Sequence, residues 1–217
     1  MVRPFDTSLQ EIKRLLLQMA RMVEISIHQG VQSLQTGNVD LAKKVIQEDI
    51  QINEMEDLID DKVMILIATQ QPVARDLRLL IAAIRLANDL ERMADLAEDI
   101  AEITLELHEN NLVIQPQIPE IDKMAEQTQA MVHDGINSYV DGNIMLAKSL
   151  AVADDKVDDL YEKVFREMMQ RMKDDNQKEV ALKICFVARF LERIADHTVN
   201  LGESVVFIET GKQRDLN

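Results

Sequence analysis

Apolar positions recur at helical spacing along almost the whole chain, and polar punctuation cuts them into six segments. Leu15, Met19, Met22 and Ile25 follow three- and four-residue steps, the period of one helix face. Ser8 and Glu11 have capping-box spacing, which predicts a first helix from near Ser8 to a stop at Thr36-Gly37-Asn38. A second helix is expected from about Val39 to Ala68, where residues 69–74, with Pro72, break it. A third should run from about Asp76 to Leu107. Asn110 to Pro119, with Pro116 and Pro119, is the one stretch that reads as a linker. Pro119 suits the first turn of a fourth helix, which should end at Asp141-Gly142-Asn143. A fifth is expected to about Lys173, then a turn at Asp174-Asp175-Asn176, then a sixth helix from about Lys178 to Ile208.

The fourth to sixth segments repeat the first three. Gly37-Asn38-Val39-Asp40-Leu41-Ala42-Lys43 lies on Gly142-Asn143-Ile144-Met145-Leu146-Ala147-Lys148, an offset of 105 residues, 37 to 142. In that register His28 matches His133, Gly30 matches Gly135, Asp49 matches Asp154 and Asn53 matches Asp158. In the third helix of each half the offset falls to 101 residues, 91 to 192. The first half therefore has four extra residues, expected in its second loop around Pro72. The predicted fold is all-α: two pseudo-symmetric bundles of three antiparallel helices, side by side. The first repeat spans residues 1–109, the linker 110–119 and the second repeat 120–217.

Composition supports helices and narrows the partners. Hydrophobic residues make up 47% of the chain, yet aromatics are only 3% with no Trp, and Gly and Pro number 6 and 4. A sheet protein needs more aromatic and turn-forming residues than this. The 12 Met suit gaps between helices. A formal charge of −15 argues against nucleic acid and against an electrostatic hold on anionic lipid, and favours cations or basic protein surfaces. One cysteine, Cys185, cannot close an internal disulfide. The opening Met1-Val2-Arg3-Pro4-Phe5-Asp6 has no signal-like apolar run, and no stretch approaches the ~20 apolar residues of a membrane span. A cytoplasmic location is expected.

The third helix of each half carries the candidate chemistry, Leu90-Glu91-Arg92-Met93-Ala94-Asp95 and Leu191-Glu192-Arg193-Ile194-Ala195-Asp196. On a helical wheel Glu91, Asp95, Glu98, Asp99 and Glu102 fall within about 100° of one another, with Asn88 alongside. Leu90, Met93, Leu96, Ile100 and Ile103 fill the opposite side. Preceding helices add Asp49, Asn53, Glu56 and Asp60 in one half, and Asp154, Asp158 and Glu162 in the other, all within otherwise apolar stripes. Such a pattern predicts partly covered acidic grooves. Carboxylates at i and i+4 lie ~6 Å apart along the axis and repel by about 2–3 kcal/mol at an effective dielectric near 20. A bound multivalent cation relieves that repulsion and uses the oxygens as ligands. Arg92 and Arg193 point about 100° away from their own motifs. A solvated acidic flank is the competing reading, and the register-matched second copy weighs against it. His28 and His133 also match, though a helical histidine is more often surface, core or support than ligand.

Glu-Arg-x-Ala-Asp near the ends of two three-helix units, with Asp49/Asn53 and Asp154/Asp158 upstream and Asp76-Leu77-Arg78 before the third helix, resembles the PhoU family of phosphate-uptake regulators. The resemblance extends over nearly the whole chain. It implies multinuclear metal sites on Glu/Asp-x-x-x-Asp pairs: Asp49, Asn53, Glu91 and Asp95 in one half, Asp154, Asp158, Glu192 and Asp196 in the other. Asn53 departs from the acidic pattern, which makes the second set the better expected site. The donors suit iron, manganese or magnesium, with zinc tolerated. The resemblance further implies a cytoplasmic, non-enzymatic repressor of phosphate uptake and starvation signalling. Its partners would be a phosphate-specific ABC transporter and a membrane sensor histidine kinase, and a homodimer is the expected assembly. Two other classes compete. A carboxylate-bridged di-metal oxidase or ferritin-like enzyme would use Glu-x-x-His pairs, and the chain has none, Glu24 and His28 being i and i+4. A metal-free helical adaptor would leave the grooves empty.

Overall fold

The computed structural model describes residues 3–114, 117–212 and 216. Met1, Val2 and Pro116, used above in reading the N-terminus and the linker, lie outside the described residues. The described chain is six helices: α1 Pro4–Thr36, α2 Val39–Gln70, α3 Arg75–Glu109, α4 Pro119–Asp141, α5 Ile144–Arg171 and α6 Lys178–Thr210.

The Gly-Asn pairs end one helix and start the next. Gly37 and Gly142 take the left-handed conformation at φ 64° and 66°, which glycine adopts without a Cβ penalty. Asn38 and Asn143 then cap the following helices, their Oδ1 atoms accepting from Leu41 N at 3.0 Å and Leu146 N at 3.1 Å. Two features depart most from the sequence reading. α1 begins at Pro4 rather than near Ser8, with no side-chain cap. Proline is favoured in the first turn, and burial of Phe5 and Leu9 holds the added turn against the core. The four extra residues are helical rather than loop: α2 has 32 residues and α5 has 28. Four residues make about one helical turn, so the insertion keeps the faces of α2 in register with its core.

Each repeat folds as an antiparallel bundle, and the bundles join along two antiparallel seams. On the α1/α4 seam, Gln35 Nε2 donates to Asp122 Oδ1 at 3.2 Å and Lys13 Nζ to the Val140 carbonyl at 2.6 Å. On the α3/α6 seam, Arg85 lies over the Phe207 ring and His197 Nδ1 is 2.9 Å from Asp89 Oδ1. One apolar cluster runs through all six helices and includes Leu16, Ile52, Leu90, Ile136, Val164 and Leu191. Close approach depends on the matched glycines. A Cβ on Gly30 would meet the Ala97 carbonyl oxygen of α3 at 2.9 Å, and one on Gly135 would meet Leu201 of α6 at 2.9 Å. Even a side-chain bond is duplicated, Ser33 and Ser138 each donating to the carbonyl three residues earlier at 2.7 Å.

Candidate metal centre

In each half the second and third helices pack side by side, and their acidic stripes meet. In the first half α2 brings Asp49 against Asp95 and Glu98 of α3, with one ligand oxygen of each within 4.8 Å of the others. Asp49 is only 6% exposed. Its Oδ2 accepts from Asn53 Nδ2 at 3.0 Å, while its Oδ1 is buried with no hydrogen-bond partner among the described residues. Asn53 Oδ1 is likewise buried and unpartnered. A buried acceptor without a donor costs about 1–3 kcal/mol, and Asp49 stands in a cluster already rich in negative charge.

Electrostatics express the same crowding. Glu98 is pushed up to about 7, first by burial and then by Asp49, Glu102, Asp95 and Asp99. Burial, then Asp95, raises Asp49 above the ordinary carboxylate range. Glu91 is raised by burial, Asp95 and Glu56, and Asp99 by burial, Glu102 and Asp95. Three convergent carboxylates, one with an unmet buried oxygen, are a donor set that a hard divalent cation satisfies. Asp49, Asp95 and Glu98 would hold it.

Of the residues expected from the sequence, Asp49, Asn53, Glu91 and Asp95 share this neighbourhood. Glu98 was not among them although it lies on the same wheel face. Its counterpart one repeat later is Val199, so a search restricted to duplicated acids passes over it. In the second half, burial and then Asp196 raise Asp158 and Glu192, so α5 and α6 also bring their motifs together, and Asp154 is 5% exposed. There the Arg189 guanidinium is paired with Glu192 Oε1. The motif alone favoured the second half. The structure instead gathers the three-carboxylate group in the first, where Asn53 serves as a donor to Asp49 and Glu98 adds a carboxylate. His133 stands elsewhere, Nδ1 3.5 Å from Glu24 Oε1 on the α1/α4 seam, and no histidine joins the three-carboxylate group.

Fold and site together define a duplicated three-helix-bundle protein with a pair of acidic motifs on the second and third helices of each repeat. A PhoU domain matches the chain twice, over residues 16–104 and 121–205. A phosphate-specific transport system accessory protein PhoU homolog from Clostridium acetobutylicum is 37% identical over 98% of this chain and 97% of its own length. A homolog from Thermotoga maritima is 35% identical over 96% of this chain and 90% of its own. The crystal structure of PhoU from Pseudomonas aeruginosa superposes with a TM-score of 0.89 at 33% identity, covering 96% of this chain and all of that one. The chain belongs to the PhoU family. These relatives carry the names of transport accessory proteins, not of enzymes.

Proposed function

We propose that this chain is a cytoplasmic negative regulator of phosphate uptake and of phosphate-starvation signalling. It would act through a phosphate-specific ABC transporter and a membrane sensor histidine kinase. The observation that carries the reading is kinship over the full length of both repeats with proteins named as accessories of the phosphate-specific transport system. Among the described residues no helix is long and apolar enough to cross a membrane, which fits a protein that reaches the membrane through its partners. The strongly negative surface favours partner faces that are basic. A homodimer is the assembly we expect, and sedimentation of the purified chain reads it directly.

In this reading a divalent cation at Asp49, Asp95 and Glu98 ties α2 to α3. It would supply the counter-charge that the helix pair lacks and so rigidify the surface offered to partners. Oxygen donors favour iron, manganese or magnesium, with zinc tolerated. Deletion of the gene in its host tests the regulatory role. Phosphate uptake or starvation-gene expression should rise in phosphate-rich medium and return to normal when the intact chain is restored. Unchanged uptake and unchanged expression would reject the reading.

A further inference from the structure

The duplication provides an internal comparison for the acidic centre, because each acidic position of one half has a counterpart in the other. Asn88 of α3 donates through Nδ2 to Glu56 Oε1 at 3.1 Å. Its counterpart in α6 is Arg189, whose guanidinium is paired with Glu192 Oε1 one helical turn on. Other exchanges point the same way. Glu56, Asp60, Glu98 and Asp99 of the first half become Tyr161, Phe165, Val199 and Asn200 in the second, while Asn53 and Ile50 become Asp158 and Asp155. The second half has thus lost acids and gained a cation at the same helix–helix junction. The Arg189 side chain is 49% exposed, but the Glu192 carboxylate that it grips is only 13% exposed. The pair is therefore anchored at its buried end, unlike an ordinary surface pair.

We propose that Arg189 is the built-in counter-cation of the second acidic site, so the two halves have diverged: the first takes a divalent cation and the second is neutralised by its own guanidinium. The proposal rests on the metal reading of the first half. A cation entering the second half must displace the guanidinium from Glu192. A hydrogen bond to a charged group is strong enough to weaken that entry by about ten- to a hundredfold. Glu192 Oε2 stays buried with no hydrogen-bond partner among the described residues, so the site keeps an oxygen to offer once the guanidinium leaves.

Equilibrium dialysis of the full chain against Mn2+ followed by metal analysis, paired with thermal melting in EDTA, tests this. Arg189→Asn places the first half's residue in the second. It should raise retained Mn2+ by about one equivalent per chain, or tighten the weaker phase by about tenfold or more. Glu192→Gln in the Arg189→Asn background should abolish the gain. In EDTA Arg189→Asn should melt below wild type, because Glu192 and its acidic neighbours lose their counter-charge, and Mn2+ should restore it. Arg189→Lys keeps the charge without the fork and should fall between the two, which covers the case of a poorly folding Asn variant. If wild type retains Mn2+ through Glu98 and Arg189→Asn retains no more, the proposal is overturned while the first-half site stands. If neither protein retains Mn2+, both readings fall.

Discussion

Glu98 is the residue on which the pH behaviour of the first half turns. Its folded-state value of about 7 stands above the ordinary value of 4.5, so the folded protein holds this proton more tightly than the unfolded chain. Its contribution to stability is fully present below about pH 4.5 and is lost as pH rises through about 7. Asp49, Glu91 and Asp99, each raised first by burial and with Asp95 among the charges that add to it, push the same way. Glu98→Gln removes the ionisation while keeping the shape. Discounted for partial exposure of the carboxyl, it should stabilise the metal-free protein by about 1 kcal/mol near pH 8, or about 2–4 °C in melting temperature for a chain of this size. Near pH 5 the difference should shrink. Melting in EDTA at both pH values reads this, and equal stabilisation at both would remove Glu98 as the titrating group. A divalent cation competes with the same proton, so stabilisation of wild type by Mn2+ should grow from about pH 5 to about pH 8 and be much reduced in Glu98→Gln.

At the scale of single helices, the caps set where each element starts. Asn38→Ala or Asn143→Ala removes the acceptor for Leu41 N or Leu146 N and should cost about 1 kcal/mol. Chemical denaturation checks this, and a loss below ~0.3 kcal/mol would mean that water replaces the cap. The turns before these caps were legible because glycine favours a helix stop, whereas the capping by the Asn side chains emerges only from the structure. The start of α1 was not legible: Ser8 and Glu11 have capping-box spelling, but Pro4 and the buried Phe5 and Leu9 outweigh it through tertiary contact. The extra turn of α2 was visible as a length difference, but a gap between repeats does not reveal whether it falls in helix or loop. The acidic centre was legible as a face of α3, whereas its membership was not. Glu98 enters because Asp49 of α2 packs opposite it, and Arg189 because its side chain reaches Glu192 within one turn. The first fact does not follow from helical periodicity, which says nothing of the partner helix's register, whereas Arg189 and Glu192 stand at i and i+3 on α6, a spacing the sequence does contain.

Across the whole molecule, the two repeats share a core that neither could bury alone. Leu90, Ala94 and Ala97 of α3 and Leu191, Ala195 and Leu201 of α6 belong to one cluster, so separating the bundles would expose apolar faces of both. A chain of two such halves should unfold as one cooperative unit. Helix loss by circular dichroism reports on both repeats, and reactivity of the half-buried Cys185 thiol reports on the second alone. The two should give coincident midpoints in guanidinium chloride with one slope. The α3/α6 seam supplies the stricter form of this expectation. Asp89 Oδ1 accepts from Asn200 Nδ2 at 3.2 Å and lies 2.9 Å from His197 Nδ1, with His197 and Asp89 only 17% and 14% exposed. Asp89→Ala leaves both polar groups of α6 without their acceptor and should cost about 1–2 kcal/mol. Because the cost falls on the junction, it should move the dichroism and Cys185 midpoints together. A variant in which Cys185 becomes reactive while the bulk of the helix signal persists would show that the second repeat opens independently, and the shared core would then not be what couples the halves.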